Sequence, residues 1–373
     1  MSQYLNYSEE FLKSQNGYWT AKEICQQPRI WREAANNVEV NRAALNDWLT
    51  PVLAKQDLRI ILTGAGTSAY VGDSIAAHLS QQTARLFEAI STTNIVSNPT
   101  QYLLKEVPTL LISYGRSGNS PESVAAVKLA DQVVDNIYHL VLTCNPDGDL
   151  ATNAQQQDNS FSLLMPQGTL DQSFAMTSSF SSMLVSTLCI FAPDSAQLET
   201  AAQWTENLLL NTDELQERAK RSTKRLVFLG AGGLQGIAKE AALKVLELTA
   251  GQVLSYFESP LGFRHGPKSL MNDETEVIFF SSSDNYTKLY DGDLLSELAR
   301  DDQALAITKL DQSSFNHSSE LQDVWASLPY IAYCQILAFY KSIDADITPD
   351  NPCPTGEVNR VVQGVTLYPL TLK

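Results

Sequence analysis

The stretch Gly64–Ala69 combines two glycines with two hydroxyl side chains, directly after an apolar run that begins at Arg59. Such a run predicts a short buried strand, and the residues that follow predict a helix. A helix N-terminus presents free backbone N–H groups and a positive dipole end, so this loop suits an anion, with Thr67 and Ser68 as further donors. The same spacing, Gly-x-Gly-x-x-Ala, also fits a dinucleotide-binding turn in which Glu88 would bind a ribose.

A second hydroxyl-bearing loop, Ser113–Pro121, follows the next apolar run along the chain. Its Ser117 and Ser120 should emerge beside the first loop, because the carboxyl ends of neighbouring parallel strands meet at one edge of a sheet, where ligands bind. We therefore expect the two loops to converge on one phosphate, a feature that a dinucleotide enzyme does not need. The alternative is that Ser120 only caps the following helix, with Pro121 at its first position.

Charged residues in the second half share one face of a predicted helix. Lys244 and Glu247 are three residues apart, and Glu240 and Lys244 are four apart. Spacing alone favours a solvated salt-bridge face. The residues around them are apolar on nearly all sides of the helix, however, which indicates partial burial. Since burial can tune the pKa of a carboxylate for proton transfer, Glu247 is a candidate base.

His265 lies in a predicted loop with glycine and proline on both sides. Loops often carry catalytic groups, and histidine changes its charge near neutral pH, so His265 is a second candidate catalytic residue. His78, His139 and His317 have no comparable setting. No set of His, Cys and carboxylate residues has the spacing of a metal site, and we expect neither a metal nor a cofactor.

An internal repeat organises these motifs, because Arg59–Gly66 resembles Arg225–Gly232 at an offset of 166 residues. Each copy predicts a buried strand, a glycine-rich turn and a helix. Further predicted strands are Thr109–Tyr114, His139–Cys144 and Glu276–Ser281, and the predicted helices are Ser74–Ser80, Pro121–Ala130, Ser173–Phe191, Ile237–Leu248, Asp293–Arg300 and Leu328–Tyr340. The alternation predicts an α/β fold with parallel sheets covered by helices on both faces.

Two segments lie outside the repeat. Residues 1–50 have periodic apolar positions, such as Ile30 and Trp31, which predict helices packed on the first domain. Residues 346–373 are rich in proline, but the strand-like Val361–Leu367 is too apolar for a disordered terminus, so we expect the tail to dock. We therefore predict a helical segment at 1–45, α/β domains at 46–205 and 206–345, and a tail at 346–373 that packs near the active site.

Composition excludes several classes of protein. The chain of 373 residues has 26 basic and 42 acidic side chains, and its net charge of −16 argues against nucleic acid or an anionic membrane as partner. Five cysteines without a Cys-x-x-Cys pair indicate a reducing compartment. Met1–Glu10 does not resemble a signal peptide, and the longest apolar runs are too short to span a bilayer. We expect a soluble cytoplasmic protein.

Four motifs together resemble the sugar isomerase (SIS) superfamily: the loop with Thr67 and Ser68, the loop with Ser117 and Ser120, the segment Ala242–Glu247, and His265 before Gly-Pro. The resemblance covers about residues 45–345 as two tandem SIS domains, each implied to be a flavodoxin-like three-layer αβα fold. It is strongest to the isomerase half of glucosamine-6-phosphate synthase. The tail segment Asn351–Arg360 is similar to the galactosamine-6-phosphate deaminase/isomerase group, formerly assigned as tagatose-6-phosphate ketose/aldose isomerases.

The resemblance assigns roles to individual residues. The implied phosphate-binding residues are Thr67, Ser68, Arg116, Ser117 and Ser120, and the implied further substrate contacts are Gly66, Gly115 and Gln363. Glu247 is implied to move a proton between C1 and C2, His265 to open the sugar ring, and Lys244 to be a site lysine. In the synthase this histidine comes from a second subunit, so a homodimer or higher homo-oligomer with shared active sites is implied.

Two departures from the synthase narrow the expected reaction. The synthase has a glutaminase domain led by cysteine, whereas Ser2 follows Met1 here and we expect no such domain. Its imine-forming tail lysine corresponds to Gln363, which excludes a protein Schiff base at that position. The resemblance then implies conversion of D-galactosamine-6-phosphate to tagatose-6-phosphate and ammonia. Aldose/ketose isomerisation without deamination, a gluco rather than galacto substrate, and a non-catalytic sugar-phosphate sensor remain as alternatives.

Overall fold

The computed structural model describes residues 3–315 and 317–371. The strands are β1 (Gln3–Tyr4), β2 (Tyr7–Ser8), β3 (Arg59–Thr63), β4 (Phe87–Ala89), β5 (Thr109–Gly115), β6 (Ile137–Thr143), β7 (Ser160–Leu164), β8 (Arg225–Gly230), β9 (Leu254–Glu258), β10 (Thr275–Phe280) and β11 (Ala306–Leu310). The helices are α1 (Glu9–Ser14), α2 (Tyr18–Cys25), α3 (Gln27–Val40), α4 (Arg42–Leu53), α5 (Thr67–Thr83), α6 (Thr92–Ser97), α7 (Pro99–Tyr102), α8 (Pro121–Val133), α9 (Asp149–Ala154), α10 (Ser178–Phe191), α11 (Ser195–Leu210), α12 (Asp213–Ala219), α13 (Gly233–Leu248), α14 (Pro260–Phe263), α15 (Thr287–Asp301) and α16 (Asp323–Asp344). Two short 3-10 helices cover Pro267–Leu270 and Gln312–Phe315.

The first sheet has five parallel strands in the order β4-β3-β5-β6-β7. On one face, Ile61 and Leu111 pack with residues of α6 and α8. On the other face α5 lies so close that a Cβ on its Gly72 would come within 2.9 Å of Leu62. Helices therefore cover both faces, as expected for parallel strands that are buried on both sides.

The second sheet has four parallel strands in the order β11-β10-β8-β9. Val227 of β8 and Val277 of β10 pack with residues of α14 and α15 on one face. On the other face, Phe280 stacks on Tyr330 of α16, with ring centroids 5.5 Å apart. Both halves of the chain are thus parallel sheets between helices, which confirms the predicted α/β class.

The strand registers reproduce the sequence repeat. Arg59 of β3 pairs with Thr109 of β5, and Arg225 of β8 pairs with Thr275 of β10. Each residue of the second pair lies 166 positions after its counterpart in the first pair. The turns that follow β3 and β8 also match, since Gly66 has φ 54° and ψ −129° and Gly232 has φ 57° and ψ −129°. The repeat is therefore a repeat of backbone geometry as well as of residue type.

Several predicted element boundaries are wrong. The helix predicted from Ser74 begins at Thr67, and the one predicted from Ser173 begins at Ser178. The second difference has a physical cause, because the Asp171 carboxylate accepts a hydrogen bond of 2.9 Å from the Ser179 N–H and so caps the first turn. The strand expected at Val361–Leu367 does not form, and that segment runs without regular secondary structure.

The chain divides into two compact units that do not follow the linear order of the sequence. One contains the second sheet and is formed by the described chain up to Arg32, Gln172–Thr177 and Asp194–Pro354. The other contains the first sheet and is formed by Glu33–Asp171, Ser178–Pro193 and the described tail from Thr355.

The prediction that the N-terminal helices pack on the first domain is therefore wrong for the chain up to Arg32. In the unit of the second sheet, the Thr20 hydroxyl donates to Asp350 at 2.7 Å, and the Gln27 amide donates to Gln335 at 2.7 Å. The Arg32 guanidinium lies 2.8 Å from Glu199 of α11.

None of the helices within residues 3–315 and 317–371 has the length and apolar character of a membrane-spanning segment.

Candidate active site

The first hydroxyl-bearing loop begins where β3 ends. Gly64 must lack a side chain, because a Cβ there would lie 2.5 Å from the Ser68 backbone. Gly66 has a φ of +54°, in the left-handed region that favours glycine. The two glycines turn the chain so that α5 starts at Thr67, and Thr67 and Ser68 both lie buried in the first helical turn. This places two hydroxyls at a helix N-terminus, where the positive end of the helix dipole favours an anion.

The second loop leaves the neighbouring strand at the same edge of the sheet, since Thr63 of β3 is in register with Ser113 of β5. Ser117 and Ser120 are both half-buried. Ser120 is the N-cap residue of α8, with Pro121 at the first turn, but its side chain makes no capping hydrogen bond to the helix. Its hydroxyl therefore does not have the purely capping role of the alternative interpretation.

Arg116 is oriented by the tail of the chain. It is only 6% exposed, and its guanidinium donates to the carbonyl oxygen of Arg360 at 2.6 Å. Arg360 in turn donates to the carbonyl oxygen of Asp171. Sequence reasoning missed Arg360 and Asp171 because these partners lie far from Arg116 along the chain. Gln363, three residues beyond Arg360, is exposed.

Glu88, the acidic residue that would bind a ribose in a dinucleotide-binding turn, is held by an arginine. Glu88 lies on β4, where its two carboxylate oxygens lie 2.5 Å and 3.0 Å from the Nε and a terminal nitrogen of Arg59. A carboxylate held at both oxygens by one guanidinium is not available to bind a ribose in this arrangement.

The second copy of the glycine turn lacks the polar side chains of the first. A Cβ at Gly230 would lie 2.6 Å from the carbonyl oxygen of Leu234, so Gly230 repeats the role of Gly64. Leu234 itself is fully buried. The turn between β8 and α13 is thus built like its counterpart, but it offers no hydroxyl group.

Helix α13 brings three charged side chains together. Lys244 is fully buried, with its Nζ 2.5 Å from Oε2 of Glu247 and 3.3 Å from Oε1 of Glu240. Glu240 is also fully buried, whereas the Glu247 side chain is 21% exposed. The solvated salt-bridge face that spacing alone favoured is therefore not what forms, because neighbouring helix α16 and strands β8 and β9 cover this helix.

The electrostatics of this cluster keep Lys244 charged. Burial by itself lowers the pKa of Lys244, but the carboxylates of Glu240 and Glu247 outweigh that effect, and the net pKa lies above its ordinary value. Lys244 therefore holds its proton at neutral pH and fixes one oxygen of Glu247. The partly exposed Glu247 carboxylate is the member of the cluster that can reach a reacting molecule.

His265 is exposed on the turn between α14 and the 3-10 helix that starts at Pro267. Its backbone N–H donates to the carbonyl of Gly262 at 2.9 Å, and the Gly262 N–H donates to the Ser259 hydroxyl at 3.1 Å. The Glu258 carboxylate accepts from the Ser259 N–H at 2.7 Å. Glu258, which sequence reasoning did not single out, thus organises the turn that carries His265.

Three of the cysteines and one further histidine are not available for chemistry in this fold. Burial raises the pKa of Cys25, Cys144 and Cys189 to about 12, so these thiols stay protonated. The buried His139 is paired with Asp131 at 2.8 Å. Within residues 3–315 and 317–371, no group of three or more His, Cys, Asp or Glu side chains is placed to hold a metal ion.

Comparison with known proteins finds one family in both halves of the chain. The SIS domain family matches residues 52–192 and 221–345, one match for each sheet. The chain belongs to the SIS domain family. This confirms the resemblance drawn from the four sequence motifs.

Relatives of this SIS protein match along nearly its whole length. It is 55% identical over 366 residues to the D-galactosamine-6-phosphate deaminase AgaS of Shewanella sp. (strain ANA-3), which covers 97% of this chain and 95% of that protein. It is 48% identical over 369 residues to the enzyme of the same name from Escherichia coli, with 95% and 96% covered. The crystal structure of tagatose-6-phosphate ketose/aldose isomerase from Escherichia coli superposes with a TM-score of 0.89 at 45% identity, covering 95% of this chain and 98% of that chain.

Proposed function

We propose that this SIS protein is a deaminating isomerase that converts D-galactosamine-6-phosphate and water to tagatose-6-phosphate and ammonia. The single observation that carries the chemistry is the Glu247 carboxylate, which is partly exposed and held at Oε2 by the buried Lys244. Isomerisation between C1 and C2 needs one base that can reach both carbons, and a carboxylate fixed at one oxygen keeps the other for that task. The names of two relatives, at 55% and 48% identity, support the choice of substrate.

The phosphate group is bound by the two loops at the edge of the first sheet. Thr67 and Ser68 supply hydroxyls at the N-terminus of α5, and Ser117 and Ser120 supply hydroxyls at the N-terminus of α8. The positive dipole ends of the two helices add to the site, which explains how a chain with a net charge of −16 can bind an anion. Arg116 contributes by holding the tail and adds positive charge beside the loop.

The reaction begins with opening of the pyranose ring, assisted by His265. Glu247 then removes the C2 proton of the open aldehyde while the C1 oxygen takes up a proton, which forms an enolamine across C1 and C2. Glu247 returns a proton to C1 as the nitrogen gives up one of its protons. The product of this step carries a hydroxymethyl group at C1 and an imine at C2. Water adds to the imine carbon, the C2–N bond breaks, and the nitrogen leaves as ammonia with its proton supplied by a general acid.

Lys244 is not suited to be that acid. Its pKa is raised and its ammonium group is engaged by Glu240 and Glu247, so the exposed His265 is the better proton donor. Gln363 stands where an imine-forming lysine would stand in the synthase. The substrate already carries its nitrogen at C2, and no protein imine is needed.

The deciding experiment is a coupled ammonia assay on galactosamine-6-phosphate, glucosamine-6-phosphate and their N-acetyl forms. We expect ammonia from galactosamine-6-phosphate, together with stoichiometric tagatose-6-phosphate. A second candidate function is isomerisation between tagatose-6-phosphate and galactose-6-phosphate, which the name of the structural relative at a TM-score of 0.89 favours. Interconversion of these two sugars without ammonia from any amino sugar would establish that alternative and overturn the deaminase.

A further inference from the structure

A cavity of about 520 Å³ lies in the unit of the second sheet, and neither His265 nor any residue of α13 lines it. It opens where β10 and β11 end, and its lining includes Ser281, Ser282, Asp291, Lys309, Asp311 and Asp323. A volume of this size is typical of sites for small molecules. None of the residues assigned to the proposed reaction lines it.

The repeat identifies this cavity as the counterpart of the second phosphate loop. The offset of 166 residues that relates Thr109 to Thr275 also relates Ser117 to Ser283. The loop Ser282–Ser283 therefore leaves β10 as the loop with Ser117 leaves β5. In a simple duplication, both loops would offer hydroxyl and N–H donors to an anion.

In the second copy, however, the protein's own carboxylates occupy these donors. The Ser283 N–H and hydroxyl donate to Oδ1 of Asp323 at 2.5 Å and 2.8 Å, and the Ser282 hydroxyl donates to Oδ2 at 2.6 Å. The Ser282 N–H donates to Oδ2 of Asp291 at 2.9 Å. A phosphate would meet two negative charges here instead of free donors, so the polarity of the site is inverted.

One carboxylate oxygen of a residue that lines the cavity has no partner. Asp291 is only 2% exposed, and its Oδ1 atom has no hydrogen-bond partner among the described residues. Buried polar atoms are rarely left in this state, and a carboxylate oxygen pairs best with a charged donor.

The other charges of the lining favour a cation. The carboxylates are those of Asp291, Asp311, Glu320 and Asp323, whereas the basic side chains are those of Lys288, Lys309 and His317. Lys309 already lies 2.8 Å from Asp311. The excess negative charge is therefore not neutralised by lysines of the lining.

We propose that this cavity binds a small, hydroxylated primary ammonium compound, whose ammonium group donates to Oδ1 of Asp291. A single unpartnered carboxylate oxygen matches one charged N–H donor, whereas Mg²⁺ or Ca²⁺ would require several free oxygen ligands. The serine and glutamine side chains in the lining suit hydroxyl groups on the same molecule. The internal repeat thus provides one site for an anion and a second site of opposite polarity.

The test is calorimetric titration of the intact protein with D-glucosamine, which carries an ammonium group but no phosphate, and with uncharged D-glucose. We expect glucosamine to bind and glucose to bind at least about tenfold more weakly, because the charge-assisted hydrogen bond is lost. Asp291→Asn should weaken glucosamine binding by a similar factor. Asp293→Asn is the matched control, since Asp293 is exposed on the same helix and does not line the cavity.

A second variant guards against loss of folding. Gly292 lines the cavity within α15, and a Cβ there would meet no atom within 4 Å. Gly292→Leu should favour the helix and obstruct the cavity, so it should fold and lose glucosamine binding. Absence of glucosamine binding to the wild type, equal binding of glucose, or binding that survives both variants would overturn the proposal. Binding that is lost in Ser68→Ala/Ser117→Ala but kept in Asp291→Asn would overturn it as well, by placing the ligand at the phosphate loops.

Discussion

The ammonium group of Lys244 lies 2.5 Å from Oε2 of Glu247, with the lysine fully buried and the carboxylate partly exposed. The three-residue spacing of the pair on α13 makes this contact possible, and the apolar surroundings of the helix make it strong. Glu240 completes the arrangement from the preceding turn. The proposed roles of Glu247 as base and of Lys244 as positioning residue both rest on this contact.

Glu247→Gln should abolish proton transfer while keeping the side-chain shape and the contact with Lys244. We expect kcat to fall by about a hundredfold or more, with little change in substrate binding. The measurement is turnover together with exchange of the substrate C2 hydrogen with solvent. Glu217→Gln, an exposed residue of α12, serves as the control. Exchange that persists in the Glu247 variant would assign the base elsewhere.

Lys244→Met should be destabilising because it leaves Glu240 buried without its charge partner. Breaking a buried ion pair in this way costs about 3–5 kcal/mol. The double variant Lys244→Met/Glu240→Gln should recover much of the stability, measured by chemical denaturation, but not kcat, because Glu247 remains unpositioned. Recovery of both stability and kcat would show that Lys244 has only a structural role.

The pH dependence of stability gives a separate check on Lys244. Its pKa is raised in the folded state above the ordinary value of 10.5, so the cluster stabilises the protein fully below that pH. This contribution is lost as the pH rises through the folded-state value. The contribution of the cluster to the thermal stability should therefore not change with pH between neutral and mildly alkaline solution. In strongly alkaline solution the wild type should lose stability faster than Lys244→Met/Glu240→Gln, and parallel losses would contradict the raised pKa.

Ser68→Ala combined with Ser117→Ala should raise KM strongly for a phosphorylated sugar and leave the fold intact. Loss of two hydrogen bonds to a charged group corresponds to roughly 3–6 kcal/mol. Steady-state kinetics, with circular dichroism to verify folding, makes the test. Ser97→Ala, at an exposed position of α6, should behave as the wild type. An unchanged KM in the double variant would show that these loops do not bind the phosphate.

Arg116→Met should release the tail, because the guanidinium of Arg116 is bonded to the carbonyl of Arg360. We expect faster amide hydrogen exchange over the described tail from Thr355, with Arg85→Met, at an exposed position, as the control. A direct role of Arg116 in binding phosphate predicts the opposite pattern, in which KM rises while exchange in the tail stays unchanged.

His265→Asn should slow turnover of the closed sugar ring more than turnover of an open-chain analogue. The subunit that supplies this histidine can be identified by mixing the impaired Glu247→Gln and His265→Asn proteins under conditions that exchange subunits. If His265 serves the site of a second subunit, mixed oligomers contain one complete site and regain activity. If it serves its own subunit, the mixture is no more active than the two variants measured separately. Equal slowing of ring and open-chain substrates would exclude a role of His265 in ring opening.

The central strands of both sheets could be predicted from the sequence, whereas the edge strands could not. β3, β5, β6, β8 and β10 are buried on both faces and therefore read as continuous apolar runs. The edge strands β4, β7, β9 and β11 keep one side partly exposed, and their mixed residue types give no such run. The course of the tail also escaped prediction, because its apolar residues indicate docking but not the partner.

Features that depend on neighbouring residues could be predicted from the sequence. The glycines and hydroxyls of the loops at Gly64 and Ser117, the repeat and the helical spacing of Lys244 and Glu247 are local, since turn conformation and helix periodicity act over a few residues. Features that depend on distant parts of the chain became visible in the folded protein. The spacing of Lys244 and Glu247 favoured a solvated salt bridge, but packing of the helix buries Lys244 completely. The contact of Arg116 with Arg360 joins residues 244 positions apart, and no local sequence pattern indicates a contact over that separation.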